Sequence, residues 1–368
     1  MASVRKRTLP SGLTRWVADL TDAKGKRAER LFETKREATA YLDDAKTRIR
    51  AGTFVNDRDS ITVAKAAGLF LDGRGRDGLE ESTLRQYRQH VRHHIEPLIG
   101  PLKLSQLTGP RVHGFFDELL DLGRSPAMLR KVRTTLVGIL NHAQSRGLVT
   151  LNEVAVAKLR LPKSDTATHP PTKVELQLLL AATQGQGRVM VQTAIFTGLR
   201  MGELLALSWD DIDLPGRSVT VRRAVNFRGH FKPPKSRAGR RTIPIGDGLV
   251  SQLRVWRLGC PKGVEQLVFP NGVGNVENGG NVLNRSFYPA MAKAGLVDVG
   301  GRRLFRFHDL RHAAAALFIE QFNNPKRVQQ LMGHASITLT FDRYGYLFKD
   351  DGVTVAAMTA IENRLFNS

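Results

Sequence analysis

His308-Asp309-Leu310-Arg311-His312-Ala313-Ala314-Ala315-Ala316-Leu317-Phe318 is the stretch from which the rest of the chain can be read. Leu310, Ala313, Ala314, Leu317 and Phe318 recur at helical spacing and define one buried face, which predicts a helix over about 308–322. His308 and His312 stand at i, i+4, the spacing of a zinc-binding helix. The HExxH glutamate is absent and Arg311 would oppose a cation, so no metal is expected.

Three further segments flank this helix. Thr197-Gly198-Leu199-Arg200-Met201-Gly202-Glu203 sets two glycines around an arginine at a helix junction. Backbone N–H groups and a guanidinium can there face one anion. Lys232 to Arg241, followed by Thr242-Ile243-Pro244-Ile245, reads as a basic turn leading into a strand. Leu331-Met332-Gly333-His334 is followed ten residues later by Tyr344-Gly345-Tyr346. Each segment has a bland reading as a common loop, a solvated turn or a core residue. Together, in this order, they form a constellation.

The chain around them has four textures. Residues 1–57 hold β-like runs at Arg15–Asp19 and Arg27–Phe32, separated by the turn signal Asp22-Ala23-Lys24-Gly25. Thr34 with Glu37 then forms a capping box that opens a helix to about Arg50. Arg5, Lys6, Arg7, Arg15, Lys24, Lys26 and Arg27 line this small sheet-plus-helix module. Residues 60–162 read as helical. Caps are expected at Thr62, for a helix to about Leu71, and at Ser82, for one through Leu98. A third helix is expected from Pro110 to Leu122, and a fourth from Ser125-Pro126 to Ser145. In that fourth helix Leu129, Val132, Leu136, Ile139, Leu140 and Ala143 make an apolar stripe, while Arg130, Lys131 and Arg133 project elsewhere. Residues 161–172 have linker composition. Residues 170–350 mix helices with a β-rich section near 209–245, and 351–368 form a tail with Met358, Ile361 and Leu365 at i, i+3, i+7.

Composition narrows the function classes. Among 368 residues there are 56 Lys+Arg against 34 Asp+Glu, a net charge of +22, which favours a polyanionic partner and nucleic acid first among them. At 41% hydrophobic residues the chain can bury real cores, so a disordered polycation is excluded. No run of about 18 apolar residues and no secretory signal is visible. Cys260 is the single cysteine, so intrachain disulfides and multi-cysteine metal sites are excluded, and a reducing, cytoplasmic setting is expected.

The motifs TGLRMGEL, PKS…RRTIPI, HDLRH, LMGH and DRYGY resemble those of the tyrosine recombinases of the phage integrase family, across about residues 170–350. The helical stretch resembles that family's core-binding domain, and residues 1–57 the arm-type DNA-binding domain of its larger members. The fold implied is multidomain and mainly α with small β elements. By this resemblance Arg200 and Arg311 are the phosphate-binding arginines, Lys235 the hairpin lysine, His308 and His334 the two histidines, and Tyr344 the nucleophile. Glu203 is the acidic residue that orders the site. Tyr346 stands where many relatives carry a histidine, and it is the competing tyrosine. The reaction implied is cleavage and rejoining of double-stranded DNA at core and arm attachment sites, through a 3′-phosphotyrosine, to integrate or excise a mobile element.

The chemistry gives each role a reason. A phenol keeps the phosphate as an ester that a DNA hydroxyl can attack later, so no energy cofactor is needed. With a reference pKa of about 10, only about 0.1% of tyrosine is phenolate at pH 7, a deficit of about 4 kcal/mol that a base or cations must supply. His308 is expected to handle the Tyr344 proton, Lys235 to protonate the leaving 5′ oxygen, and His334 to bond a phosphate oxygen. His312 is read as packing or DNA-backbone contact, and Arg237, Arg240 and Arg241 as contacts to outlying phosphates or solvent-facing residues. The resemblance further implies a homotetramer on DNA with a Holliday-junction intermediate and tail exchange between protomers. A host DNA-bending protein and an excisionase are implied as accessories, and no membrane partner. Two alternatives stand beside it: a type IB topoisomerase-like strand transferase and a non-catalytic DNA-binding regulator.

Overall fold

The computed structural model describes residues 2–22, 25–52, 54–162, 170–234 and 237–348. The chain divides into two compact units, Met1–Thr166 and Ala167–Ser368. Lys24, Lys235, the linker residues 163–169 and the tail 351–368 lie outside the described residues, as does the side chain of Arg237.

In the first unit, β1 (Ser3–Thr8), β2 (Thr14–Thr21) and β3 (Arg27–Phe32) form an antiparallel sheet in that order. The register places Val4 beside Ala18 and Trp16 beside Phe32, so these residues share the face covered by α1 (Lys35–Arg50). Ala38, Leu42 and Ala45 of α1 complete that cluster. The Thr34–Glu37 capping box is present, as the sequence predicts. Strand β1 was not expected. Its Arg5-Lys6-Arg7 run hides the alternation, and only pairing with β2 makes it a strand.

Next come α2 (Val63–Arg76), α3 (Glu81–His90), α4 (Glu96–Ile99), α5 (Gly109–Asp121), α6 (Pro126–Ser145) and α7 (Glu153–Val156). Their stripes meet in a core that includes Phe70, Ile95, Phe116, Leu129, Leu136 and Ile139. Thr62 and Ser125 cap α2 and α6 as expected, whereas Ser82 lies inside α3 and caps nothing. A π-turn over Val91–Ile95 joins α3 to α4. Pro97, at the start of α4, has no N–H to give and would strike the carbonyl four residues back, so a widened turn precedes it.

The second unit begins with α8 (Lys173–Ala182), α9 (Gly185–Thr197) and α10 (Met201–Ala206). A small antiparallel sheet follows, in the order β4 (Ile212–Asp213), β5 (Ser218–Val221), β8 (Arg241–Pro244), with a separate hairpin of β6 (Ala224–Val225) and β7 (Phe231–Lys232). Then come α11 (Asp247–Gly259), α12 (Gly279–Val282) and α13 (Tyr288–Lys293), the last two joined by a second π-turn at Leu283–Phe287 ahead of Pro289. The final helices are α14 (Asp309–Phe322), α15 (Pro325–Met332) and α16 (Ile337–Tyr344). Helix α14 packs on α9, and α15 packs on both α14 and α16. The fold is thus mainly helical with small sheets, and the described parts of the motifs read from the sequence fall in this unit, at helix junctions, in helices and on strand β8.

Candidate active site

Gly198 ends α9 in the left-handed conformation (φ 63°), and Arg200 then caps α10. A Cβ at position 198 would lie 2.9 Å from Met332 Sδ and 3.3 Å from Ala314 Cβ, so α15 and α14 close tightly over this glycine. The Gly198 carbonyl accepts a hydrogen bond from Arg311 Nη1, and the Met332 carbonyl accepts one from Arg311 Nη2. The buried Arg311 therefore ties α14 to the ends of α9 and α15. Burial first, then the charges of Arg200 and Arg241, lower its guanidinium to about 9, which leaves it cationic at neutral pH.

Arg200 is half exposed, with its Nη1 2.8 Å from Glu203 Oε1 and its backbone N–H donating to Glu203 Oε2 at 3.0 Å. Glu203 is buried and also receives Arg241, Nη2 to Oε2 at 2.9 Å and Nη1 to Oε1 at 3.3 Å. Burial alone would raise this carboxyl. The Arg241 charge and hydrogen bonds, with Arg200 behind them, overcome that and hold it at about 2.

Arg241 corrects the expectation made for it. It is a buried strut that also donates to the carbonyls of Leu331, at 2.8 Å, and Gly239, at 3.1 Å, and so it is turned away from any outlying phosphate. The cause lies in the strand. Arg241 pairs with Val221, and Ile243 with Val219, so Arg241 shares the inward face of β8 with Ile243. The alternation Arg241-Thr242-Ile243-Pro244-Ile245 carried that signal in the sequence. Arg240, one step out of phase, is exposed.

The imidazoles and the tyrosine come from α14, the turn after α15, and α16. His334 follows Gly333, which is left-handed at φ 62°, and its Nδ1 lies 2.9 Å from Thr340 Oγ1. Its ring stacks on Tyr344, 6.2 Å between centroids and 9° between planes. Tyr344 is 2% exposed and packs with Ala315, Ile319, Val328 and Met332. Its Oη lies 2.7 Å from His312 Nδ1. Tyr346, by contrast, is 66% exposed. His308, the N-cap of α14, meets His312 edge to face at 5.4 Å. Crowding by the surrounding protein, then the charges of His312 and Arg311, push His308 below its usual value, so it is neutral at pH 7. His312 was expected to pack or to touch the DNA backbone; its partner Tyr344 lies 32 residues away and no local pattern points to it.

In the first unit, the β1–β2–β3 register puts Arg5, Arg7, Arg15 and Arg27 on the sheet face opposite α1, with Lys6 on the other face. Several are answered by acids: Arg5 by Glu29 at 2.6 Å, Arg15 by Glu33 at 3.1 Å, and Lys26 by Asp59 at 3.0 Å. On α6, Arg130 and Lys131 are exposed and Arg133 is half-buried. Among the described residues no cluster of three metal-ligating side chains occurs, and no helix is long and apolar enough to cross a membrane.

Arg200, Arg311 and Arg241 bring three positive charges to one carboxylate, Glu203, beside a phenol bonded to an imidazole. The half-exposed Arg200 is the guanidinium of this set that can meet an anion from solvent, and a phenol is a group that can attack a phosphodiester and leave an ester behind, the chemistry of DNA strand transferases working through a protein–DNA link. Residues 172–350 match the family described as the phage integrase family. Those residues belong to that family, the tyrosine recombinases, enzymes that break and rejoin DNA. It is 28% identical over 356 residues to a putative prophage phiRv2 integrase of Mycobacterium tuberculosis, covering 94% of this chain and 92% of that one. It is 25% identical over 363 residues to a tyrosine recombinase XerC-like protein of Caldanaerobacter subterraneus subsp. tengcongensis, covering 89% and 90%. Its fold resembles lambda integrase, solved as a dimer bound to a COC′ core site, with a TM-score of 0.64 at 21% identity over 95% of this chain and 97% of that one. For the lambda integrase tetramer bound to a Holliday junction the TM-score is 0.62 at 21% identity, over 90% and 96%.

Proposed function

We propose that this recombinase integrates or excises a mobile element, using Tyr344 to cleave one DNA strand at a core site. The observation that carries this reading is the Tyr344 hydroxyl, bonded to an imidazole and stacked on His334 in the same site as Arg311. Arg200 and Arg311 hold the non-bridging oxygens of the scissile phosphate, and Glu203 orders Arg200. Nε2 of His334 bonds a phosphate oxygen, since Nδ1 is engaged by Thr340. Lys235 protonates the leaving 5′ oxygen. The product is a 3′-phosphotyrosine, which a 5′ hydroxyl of the partner duplex resolves, so bonds are exchanged with no energy cofactor.

Residues 1–57, with Arg5, Lys6, Arg7, Arg15, Lys24 and Lys26, engage arm-type sites. Residues 60–162, with Arg130, Lys131 and Arg133, engage the core duplex, as Arg237 and Arg240 do from the catalytic domain at 170–350. Four protomers assemble on two duplexes, and the tail 351–368 packs on a neighbour. A host DNA-bending protein and an excisionase complete the assembly inside the host cell.

The test is a nicked suicide duplex bearing a candidate core attachment site. Wild type and Tyr346→Phe should form a covalent adduct, and Tyr344→Phe should bind equally well and form none. An adduct from Tyr344→Phe but not from Tyr346→Phe would overturn the assignment. Relaxation of nonspecific supercoiled DNA by monomers would favour the topoisomerase reading instead.

A further inference from the structure

We propose that His312, rather than His308, is the catalytic base of this recombinase and takes the proton of Tyr344 at its Nδ1. The inference rests on the reading of Tyr344 as the nucleophile. The Tyr344 Oη–His312 Nδ1 separation of 2.7 Å is that of a short hydrogen bond between a phenol and an imidazole. The two rings lie 5.6 Å apart at 56°, so the contact is made by the hydroxyl edge and not by stacking. For the phenol to donate, Nδ1 must be bare and Nε2 must carry the proton. Nε2 points toward a carboxylate that favours this tautomer: Asp309 Oδ1 lies 4.0 Å away. Asp309 is itself buried and fixed by the Arg306 backbone N–H at 2.7 Å and guanidinium at 3.1 Å. Tyr344 and His312 thus stand as nucleophile and base, with Asp309 near enough for its charge to favour the imidazolium though not within hydrogen-bond reach.

The charged and titratable groups around His312 agree with this role. On α14 they are His308, Asp309 and Arg311, and from α16 comes Tyr344, with His334 stacked on it; the charge of Arg200, from the start of α10, acts on the neighbouring His308 and Arg311. Asp309 is the one acid among them, and it stabilises the imidazolium formed when the proton moves. His308 is exposed and meets His312 edge to face, no hydrogen bond ties it to the phenol among those described, and its low basicity makes it a poor receiver.

The step balances. The phenolic proton passes to His312 Nδ1, the phenolic oxygen bonds to phosphorus, and the P–O5′ bond breaks. The 5′ oxygen takes its proton from the Lys235 ammonium. In rejoining, the proton on His312 returns to the departing phenol.

The distinguishing variant is His312→Asn, whose amide oxygen falls near the position of Nδ1 and accepts the same hydrogen bond without taking a proton. Single-turnover cleavage of the suicide duplex should fall at least 100-fold in His312→Asn, within the 10²–10⁴-fold range of general-base loss. The acid limb of its pH–rate profile should disappear, whereas His308→Asn should keep that limb. Wild-type rate and profile in His312→Asn would overturn the proposal, as would loss of the limb in His308→Asn alone. Absence of any wild-type adduct would overturn both this inference and the function it rests on; a wild-type adduct with His312→Asn equally fast would overturn this inference only. A readout without DNA guards against misfolding. In ¹⁵N-histidine-labelled full-length protein, His312 should show a bare Nδ1 and a protonated Nε2, and Tyr344→Phe should shift the Nδ1 resonance. A protonated Nδ1 would overturn the proposal.

Discussion

Replacing Arg241 by methionine tests whether one buried ion pair holds the catalytic loops together. The Arg241 and Glu203 side chains are each 5% exposed, and Arg241 makes two contacts to the carboxylate and two to backbone carbonyls. Removing one partner of a buried pair costs about 3–5 kcal/mol. The low end applies here, because Arg200 still answers Glu203. Titration gives a consistent figure. A carboxyl held at about 2 instead of 4.5 contributes about 3 kcal/mol at neutral pH. At roughly 2–4 °C per kcal/mol, the transition of the second unit should fall by about 10 °C in Arg241→Met, read by calorimetry of the full chain at pH 7. The double variant Glu203→Met/Arg241→Met should recover most of that loss, since two buried methionines need no charge partner. It should still cleave poorly, because Arg200 loses its anchor. A loss below about 1 kcal/mol in Arg241→Met, or a double variant as unstable as the sum of the singles, would refute the strut.

Three other outcomes can be checked. The Glu203 carboxyl lies below its unfolded value, so its contribution is full above about pH 4.5 and is lost as pH falls toward about 2; the stability gap between wild type and Glu203→Gln in urea titrations should narrow over that window, and a constant gap would contradict it. Gly198→Ala combines a left-handed φ with a Cβ 2.9 Å from Met332 Sδ; it should cost about 1–3 kcal/mol in denaturant unfolding and slow cleavage by displacing the Arg311 acceptor, whereas wild-type behaviour would mean that α15 yields freely. His308 should be neutral at pH 7 and protonate only under more acidic conditions than a free histidine, as read by histidine NMR; a wild-type ring already charged at pH 7 would contradict the site's electrostatics.

Much of the architecture is local and was therefore legible. Thr34, Thr62 and Ser125 cap helices because a side-chain oxygen reaches an N–H three residues ahead, inside the same short segment. The apolar stripe of α6 is the same kind of information, since all its members lie on one helix face. The motif order was enough to name the family, and with it the mainly helical fold.

What stayed hidden depends on pairings across the chain. Strand β1 exists only through β2, because a basic edge strand has no apolar alternation of its own to reveal it. Ser82 has capping chemistry, but the helix begins one residue before it. Arg241 looks like any member of a basic turn until β5 sets its register and turns it inward onto Glu203. The Tyr344–His312 bond joins residues on two helices whose packing through α15 no spacing rule encodes. The sequence by itself determined which chemical groups the protein owns, which helices carry them and the family to which they belong. Only the tertiary structure decided which imidazole meets the phenol and which arginine is structural, because distance and burial between remote segments are set by packing and not by position along the chain.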